Sequence, residues 1–517
     1  MPETKLKLIL LPNSFNMELH IAQYPPEQYG FNSKLNFNKE KAYYFLELIS
    51  SIASRSPDKV TKDGYTPINQ RTIKDGDKQR GLKCIKDIKA YIDYLKNTDV
   101  ILCDDKYSLG TKSYGYKWAA KYSLHRYSVK FVECKYSDFL ISNYTCQYRN
   151  YPHLFYWYQQ DRLMIDDVAA ENFAFQIYQE KINDATKLSW IDDSGEEKAP
   201  ESQYRSAVLN IAKIKYHQYE AHIDFNVHRL HSAFTGLGKK YRQFVTYDKE
   251  EFVCIDITNS QPYIVSLILN KDFWAENSTL PININNLPLE IRIPLITPTE
   301  SINSIRDFFK TVDVNKFTGY INLVSSGRFY EKFIEVAKGL GKTITRDEAK
   351  IAMFYTIYSS NRNTKDLFLK QMKIMFNQMF PEVAKLFKII KHEYKIFKDI
   401  DLIGKKQHNK LACLLQTIES QIILHNCCKR IWVEGKQQIP IFTIHDSIVT
   451  TSQHKDYVEF VMEKELEKVI KIKPVLNVDK FGKDETELPV SSASQPSSNR
   501  VELERVRAEL ERLFPTH

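Results

Sequence analysis

Two aspartates carry the chemistry that this sequence is equipped to do. Asp256 follows the apolar run 252–255 in EEFVCIDITNSQPYIVSLIL, and Asp446 stands in IPIFTIHDSIVTT between the apolar runs 441–444 and 448–449. The first run reads as a buried strand that delivers its acid at the end, and the second as a hairpin with the acid at the turn. Carboxylates on neighbouring strands can hold two divalent cations about 3.5–4 Å apart, one lowering the pKa of an attacking 3′-hydroxyl and one steadying a leaving pyrophosphate. Hard oxygen donors suit Mg2+, with Mn2+ as a substitute. Between the two acids, TRDEAKIAMFYTIYSSN repeats Arg346, Lys350, Phe354 and Tyr358 every fourth residue, which puts all four on one helix face. Two cations followed by two rings fit an incoming nucleotide, the cations meeting a triphosphate and the rings packing on sugar and base.

The elements that must position these groups occupy only part of the 517 residues, a length that suggests about three domains at roughly 100–200 residues each. Within residues 1–130, the stretch 66–118 reads as a unit of its own. TPINQRTI starts a capped helix, Leu82, Ile85, Ile88, Ile92 and Leu95 line one face of a second, and VILCDDKYSLGTKSYGYKW alternates as a hairpin around a glycine-containing turn. Helix, helix, hairpin is the order of a winged-helix-like domain, and Lys83, Lys86, Lys89, Lys106, Lys112 and Lys117 are its candidate phosphate contacts. Residues 131–224 read as a helical thumb-like or linker region, and 225–482 hold the acids and the stripe. The segment 483–517 is a Ser/Pro linker leading to an Arg/Glu helix, an appended tail that could bind a protein partner.

Composition agrees with a soluble chain: 43% hydrophobic and 26% charged residues, with no apolar run long enough for a bilayer. No signal peptide is read at the N-terminus, so a cytoplasmic location is expected. The eight cysteines form no CxxC pair and read as reduced thiols. A net charge of +9, with 31 Tyr and 29 Phe among dispersed lysines, suits a polyanion whose bases stack on rings.

Taken together, the three segments resemble the A-family DNA polymerases and the related single-subunit phage RNA polymerases, in a compact form of phage or mobile-element type. The first resembles their motif A, D-x-x-S-Q; the second is motif B, R-x3-K-x3-F-x3-Y; the third is motif C, H-D-S. The resemblance covers about residues 225–480. It implies an α+β right-hand fold with an antiparallel-sheet palm and helical fingers, behind the winged-helix-like front. It also implies Asp256 and Asp446 as metal ligands and catalytic residues, Lys350 as a further catalytic residue, and Arg346, Lys350, Phe354, Tyr358 and Gln261 on the nucleotide. Arg229 in HRLHSAFTGLGKKYRQFV, Gln416 in NKLACLLQTIESQIIL and His445 are the matching contacts to primer and template.

Several positions depart from the family pattern. Serine and glutamine are displaced in motif A, so Gln261 falls five residues after Asp256, where the DNA polymerases keep a sugar-gating glutamate. A register in which Gln261 bonds within the palm is also open. Motif B ends Tyr358-Ser359 instead of Tyr-Gly, and Ser447 occupies a position that is glutamate in the DNA polymerases and serine in the phage RNA polymerases. No D-x-E exonuclease pattern precedes the palm, so no proofreading is expected. The first expectation is therefore a DNA polymerase acting on primer-template and nucleoside triphosphates. The second is an RNA polymerase or primase-like synthesiser, and the third, from another class, is a catalytically silent nucleic-acid-binding or initiator protein.

Overall fold

The computed structural model describes residues 6–482, apart from 56–59, 62, 77–83, 109–112, 124–125, 134–146, 185, 187–198, 297–298, 363, 365 and 393–408. The tail helix expected in 483–517, together with Lys83 and Lys112, lies outside the described residues. The fold is a mixture of helices and antiparallel sheets, as an α+β chain requires. It divides into two units, one of residues 1–150, 164–220 and 236–244, the other of 151–163, 221–235 and 245–517.

In the first unit, the strand Leu6–Pro12 pairs antiparallel with Tyr127–Glu133, and the long helix Lys39–Arg55 packs beside them. Next in the chain come the short strand Thr66–Pro67, the helices Gln70–Asp75 and Ile88–Asn97, and the strands Ile101–Cys103 and Gly115–Trp118. The three strands form one antiparallel sheet with Gly115–Trp118 in the middle. Local chemistry sets each piece. Asn69 caps the first of the two helices, its side chain accepting from Arg71 and Thr72 N–H, as a side-chain oxygen does for otherwise orphaned donors. Ile88, Ile92 and Leu95 bury one face of the second. At the middle strand a Cβ on Gly115 would sit 2.8 Å from Tyr65 Cβ and 2.9 Å from Asp104 Oδ2, so only glycine fits.

Tyr91, Tyr94, Tyr116 and Trp118 fill the core of this unit, and Trp118 Nε1 donates to Ser50 Oγ at 3.1 Å. Buried aromatic rings with a polar atom need such a partner. Lys86, Lys89 and Lys106 are exposed, whereas Lys117 is tied to the Asp63 carbonyl at 2.9 Å and lies over the Tyr65 ring. The helices Asp167–Asn183 and Pro200–Lys215 belong to the same unit. Arg205 of the second is buried and donates to Tyr127 and Glu201; of residues 131–224, 151–163 and 221–224 fall in the other unit.

The second unit is built around the strand Glu250–Ile257. One edge pairs with Ser447–Thr451, which itself pairs with Ile441–Ile444. The other edge takes Leu476–Lys480 along its second half, and Val245–Tyr247 pairs with its start through a two-residue turn at Asp248 and Lys249. Both turn residues have positive φ, the backbone that suits the twist of a tight hairpin. Phe234, Phe252, Phe442 and Phe481 cluster beneath the sheet, with Phe234 and Phe481 stacked at 5.2 Å. After Glu250–Ile257 comes the helix Ser260–Ile268, every residue of which is buried. It packs on the helix Lys410–Ser420, which widens into a π-helical stretch, Gln421–Cys427, before continuing as Cys428–Glu434.

Two buried imidazoles and one half-buried one make the fold acid-sensitive. Burial lowers His20 in the first unit, and His153 and His425 in the second, each to about 4. The unfolded chain takes up a proton on each below about 6.5, and the folded chain refuses it until near 4, so stability is complete above that range and falls as pH drops through it. We expect the unfolding free energy from urea titration at pH 5 to lie below that at pH 7.5, by on the order of 1 kcal/mol for each imidazole. His20→Gln should flatten part of this slope; a profile that His20→Gln leaves unchanged would remove His20 from the account.

Candidate active site

The sheet brings the two aspartates together. Ile255 faces Ile448 and Ile444 faces Ser447, so His445 and Asp446 form a two-residue loop, and one further step along the ladder sets Asp256 beside it. Tight backbone turns mark both ends of the site: His445 has φ 55° and Asn259, which precedes the helix Ser260–Ile268, also has φ 55°. Left-handed backbone costs a residue with a Cβ on the order of 1 kcal/mol, and such strain gathers where geometry is functional.

Burial is the largest influence on both acids and raises them above the ordinary carboxylate range, Asp446 farther than Asp256. The charge of Asp256 and then that of Glu419 push Asp446 the same way, while Lys350 and Arg229 oppose. For Asp256, Lys350 and a backbone hydrogen bond at Ile257 oppose, and Glu419 and Asp479 add to the rise. The two carboxylates therefore share one low-dielectric place in which like charges repel.

Lys350 comes from the helix Arg346–Tyr358, whose start is fixed by a capping box in which Thr345 and Glu348 satisfy each other's backbone N–H groups. The four-residue spacing holds. Phe354 and Tyr358 stack with centroids 5.6 Å apart and planes at 5°, and Lys350 Nζ lies 5.7 Å from the Phe354 ring. Arg346, at the exposed end, pairs with Glu331 at 3.1 Å and lies over the buried Tyr330 ring at 5.3 Å. Tyr358 is buried and hydrogen-bonds Gln416; burial, more than any neighbouring charge, raises its phenol above the usual range. The far end of the helix is gripped by two lysines. Lys391, only 3% exposed, donates to the carbonyls of Thr356 at 2.8 Å and Ser359 at 3.0 Å, and Lys373 donates to the Ser360 carbonyl at 2.8 Å. Burial, reinforced by Lys373, brings Lys391 down to about 7.

A third carboxylate, Glu419, escaped the sequence reading. It is 2% exposed and accepts from three directions: Arg229 on Oε1 at 2.5 Å, and Ser260 Oγ at 3.1 Å and Gln261 Nε2 at 2.5 Å on Oε2. The visible signal was a glutamate inside the apolar helix run KLACLLQTIESQIIL, since a charged residue is almost never fully buried unless paired. The wide π-turn begins two residues later, a helix irregularity often found at functional sites. Two expectations change in detail. Arg229, expected on nucleic acid, is buried in the pair with Glu419, and Gln261 bonds to Glu419 inside the second unit, with its Oε1 buried and unpartnered. Gln416 lies against Tyr358, and His445 occupies the turn beside Asp446.

Among the described residues no group of three or more His, Cys, Asp or Glu side chains has the arrangement of a protein metal cage. Two carboxylates suit magnesium all the same, because Mg2+ is usually held by one or two carboxylates, with water and substrate phosphates completing its shell. The half-buried, mutually repelling pair is the feature a divalent cation would relieve.

The sequence matches no family model and no curated protein. Among solved structures it is similar to the POL domain of Pol1 from M. smegmatis in complex with DNA primer-template and dNTP. The identity is 10% and the TM-score 0.26, over 61% of this chain and 64% of that one. The chain thus spans somewhat under two thirds of that domain.

Relief of the repulsion gives a direct test. In metal-free buffer, Asp446→Asn should melt above the wild type, by about 2–4 °C for each kcal/mol recovered. Millimolar Mg2+ should then raise the wild-type Tm and leave the variant nearly unmoved. A wild-type Tm indifferent to Mg2+ would count against a cation site at these acids.

Proposed function

We propose that the chain is a template-directed DNA polymerase, A-family-like, that adds nucleotides to a 3′-hydroxyl without proofreading. The observation that supports it most is the half-buried pair Asp256 and Asp446 under the charge of Lys350, which comes from a helix that carries Arg346, Phe354 and Tyr358 on the same face. Asp256 and Asp446 would hold two Mg2+ ions, which when bound supply Lewis-acid activation of the 3′-hydroxyl and charge neutralisation at the departing pyrophosphate. The protein's own groups orient the nucleotide. Lys350 and Arg346 meet its phosphates, and the stacked pair of Phe354 and Tyr358 offers a flat apolar surface to sugar and base. Gln261, which its spacing from Asp256 would put near the sugar, is buried and bonded to Glu419.

RNA synthesis is the second reading, and it drew on Ser447. That hydroxyl donates to the Ile444 carbonyl at 2.8 Å and is buried, so its place in the hairpin gives serine a structural reason to be there whichever sugar is used. A primer-template and nucleoside triphosphates are the proposed partners, and among the described residues no helix is long and apolar enough to cross a membrane.

Extension of a labelled primer on DNA and RNA templates, with each nucleotide set in Mg2+ or Mn2+, tests the proposal. Deoxynucleotide addition should dominate, and Asp256→Asn or Asp446→Asn should lower kcat by several orders of magnitude while primer-template affinity survives. Extension by Asp446→Asn at near wild-type rate would defeat the assignment. Tight duplex binding by a wild-type protein that never extends would point to the silent binding protein instead.

A further inference from the structure

The register of the strand Leu476–Lys480 sets Asn477 directly opposite Asp256, and Asp479 opposite Cys254. Residues opposed in an antiparallel pair share a face, and every second pair exchanges backbone hydrogen bonds, with Cα atoms about 5.5 Å apart. Bonds from Thr258 N–H to the Val475 carbonyl at 2.9 Å and from Phe481 N–H to the Phe252 carbonyl at 3.1 Å put Asp256 and Asn477 in that series. Asp256 thus stands between the hairpin that carries Asp446 and the strand that carries Asn477. Asn477 and Asp479 are exposed, while Leu476 and Val478 are half-buried on the opposite face. The Asn477 amide is also oriented: its Nδ2 donates to Asp479 Oδ2 at 2.8 Å. A carboxylate has no proton to give, so the nitrogen must face Asp479 and Oδ1 must lie on the other side of the amide. Among the described residues no donor meets that oxygen.

From this arrangement we infer that Asn477 extends the cation site, its Oδ1 accepting from a water on the Mg2+ that Asp256 would hold, with Asp479 as the positioning residue that turns the amide. The inference rests on the proposed polymerase reading, in which Asp256 holds a cation. Mg2+ gives up its waters reluctantly and usually keeps several, and acceptors that fix those waters strengthen binding. An amide oxygen suits this place better than a third carboxylate. It accepts a hydrogen bond without adding negative charge to two acids that already repel each other. A free asparagine could present either end of its amide; one tied to a carboxylate presents only oxygen.

Binding of the metal alone tests this without turnover. Mn2+ is titrated into the full-length chain, free Mn2+ is read by electron paramagnetic resonance, and Mg2+ competition gives the Mg2+ affinity. Asn477→Leu, of similar size but with no acceptor, should weaken Mn2+ binding by about tenfold. Asp479→Ala should weaken it in the Asn477 background and leave it unchanged in the Asn477→Leu background, because a residue that acts by turning the amide has nothing left to turn. An affinity within about twofold of wild type in Asn477→Leu would overturn the inference. An equal loss from Asp479→Ala in both backgrounds would show its charge acting alone and remove its positioning role. Should Asn477→Leu melt early in metal-free buffer, Asn477→Val, a better strand former, decides in its place. A wild-type chain that binds no Mn2+, or whose binding ignores Asp256→Asn, sinks the reading of Asp256 itself, an outcome distinct from an Asp256-dependent site that ignores Asn477.

Discussion

Repulsion between Asp256 and Asp446 is the constraint around which the second unit is organised. Two carboxylates brought together out of water are costly unless opposite charge faces them, and both are raised above their ordinary range. Lys350, reaching in from a helix, and Arg229, buried beside Glu419, oppose that cost, while the charge of Glu419 adds to it. A protein selected only for stability would replace one of the acids, so their joint presence is a reason to look for chemistry at that place.

How much of this was readable from residue order depends on whether the determinant is local. The strands under the acids were legible because Phe252 to Ile255 and Ile441 to Ile444 are unbroken apolar runs, and the stripe was legible because four-residue spacing has one meaning on a helix. The helix-helix-hairpin order of the front unit was visible for the same reason. Its third strand was not, since Thr66 and Pro67 are too few to make a pattern, and they become a strand only by pairing with Gly115 and Tyr116. The Glu419 network was hidden for a stronger reason. Its members sit at 229, 260, 261 and 419, so nothing local distinguishes them, and the partner of Gln261 is decided by which helices cross. The bond of Arg205 to Tyr127 was likewise unreadable, because its partners are 78 residues apart.

The pair of Arg229 and Glu419 also shows how a buried ion pair can serve arrangement more than stability. Breaking such a pair by removing one partner typically costs about 3–5 kcal/mol, although replacing both by apolar residues is often neutral. Here the pair holds a loop residue, a helix start and a helix interior in one register. An apolar substitute could fill the same space, but it could not choose which way the Gln261 amide points.

The grip of Lys391 and Lys373 on the last carbonyls of the helix Arg346–Tyr358 makes that helix an asymmetric lever. Measured from Tyr358, its other end, about 18 Å away at 1.5 Å per residue, reaches Arg346, so a tilt of about 15° about Tyr358 would leave the rings almost in place and carry Arg346 through about 5 Å, at the expense of its pair with Glu331.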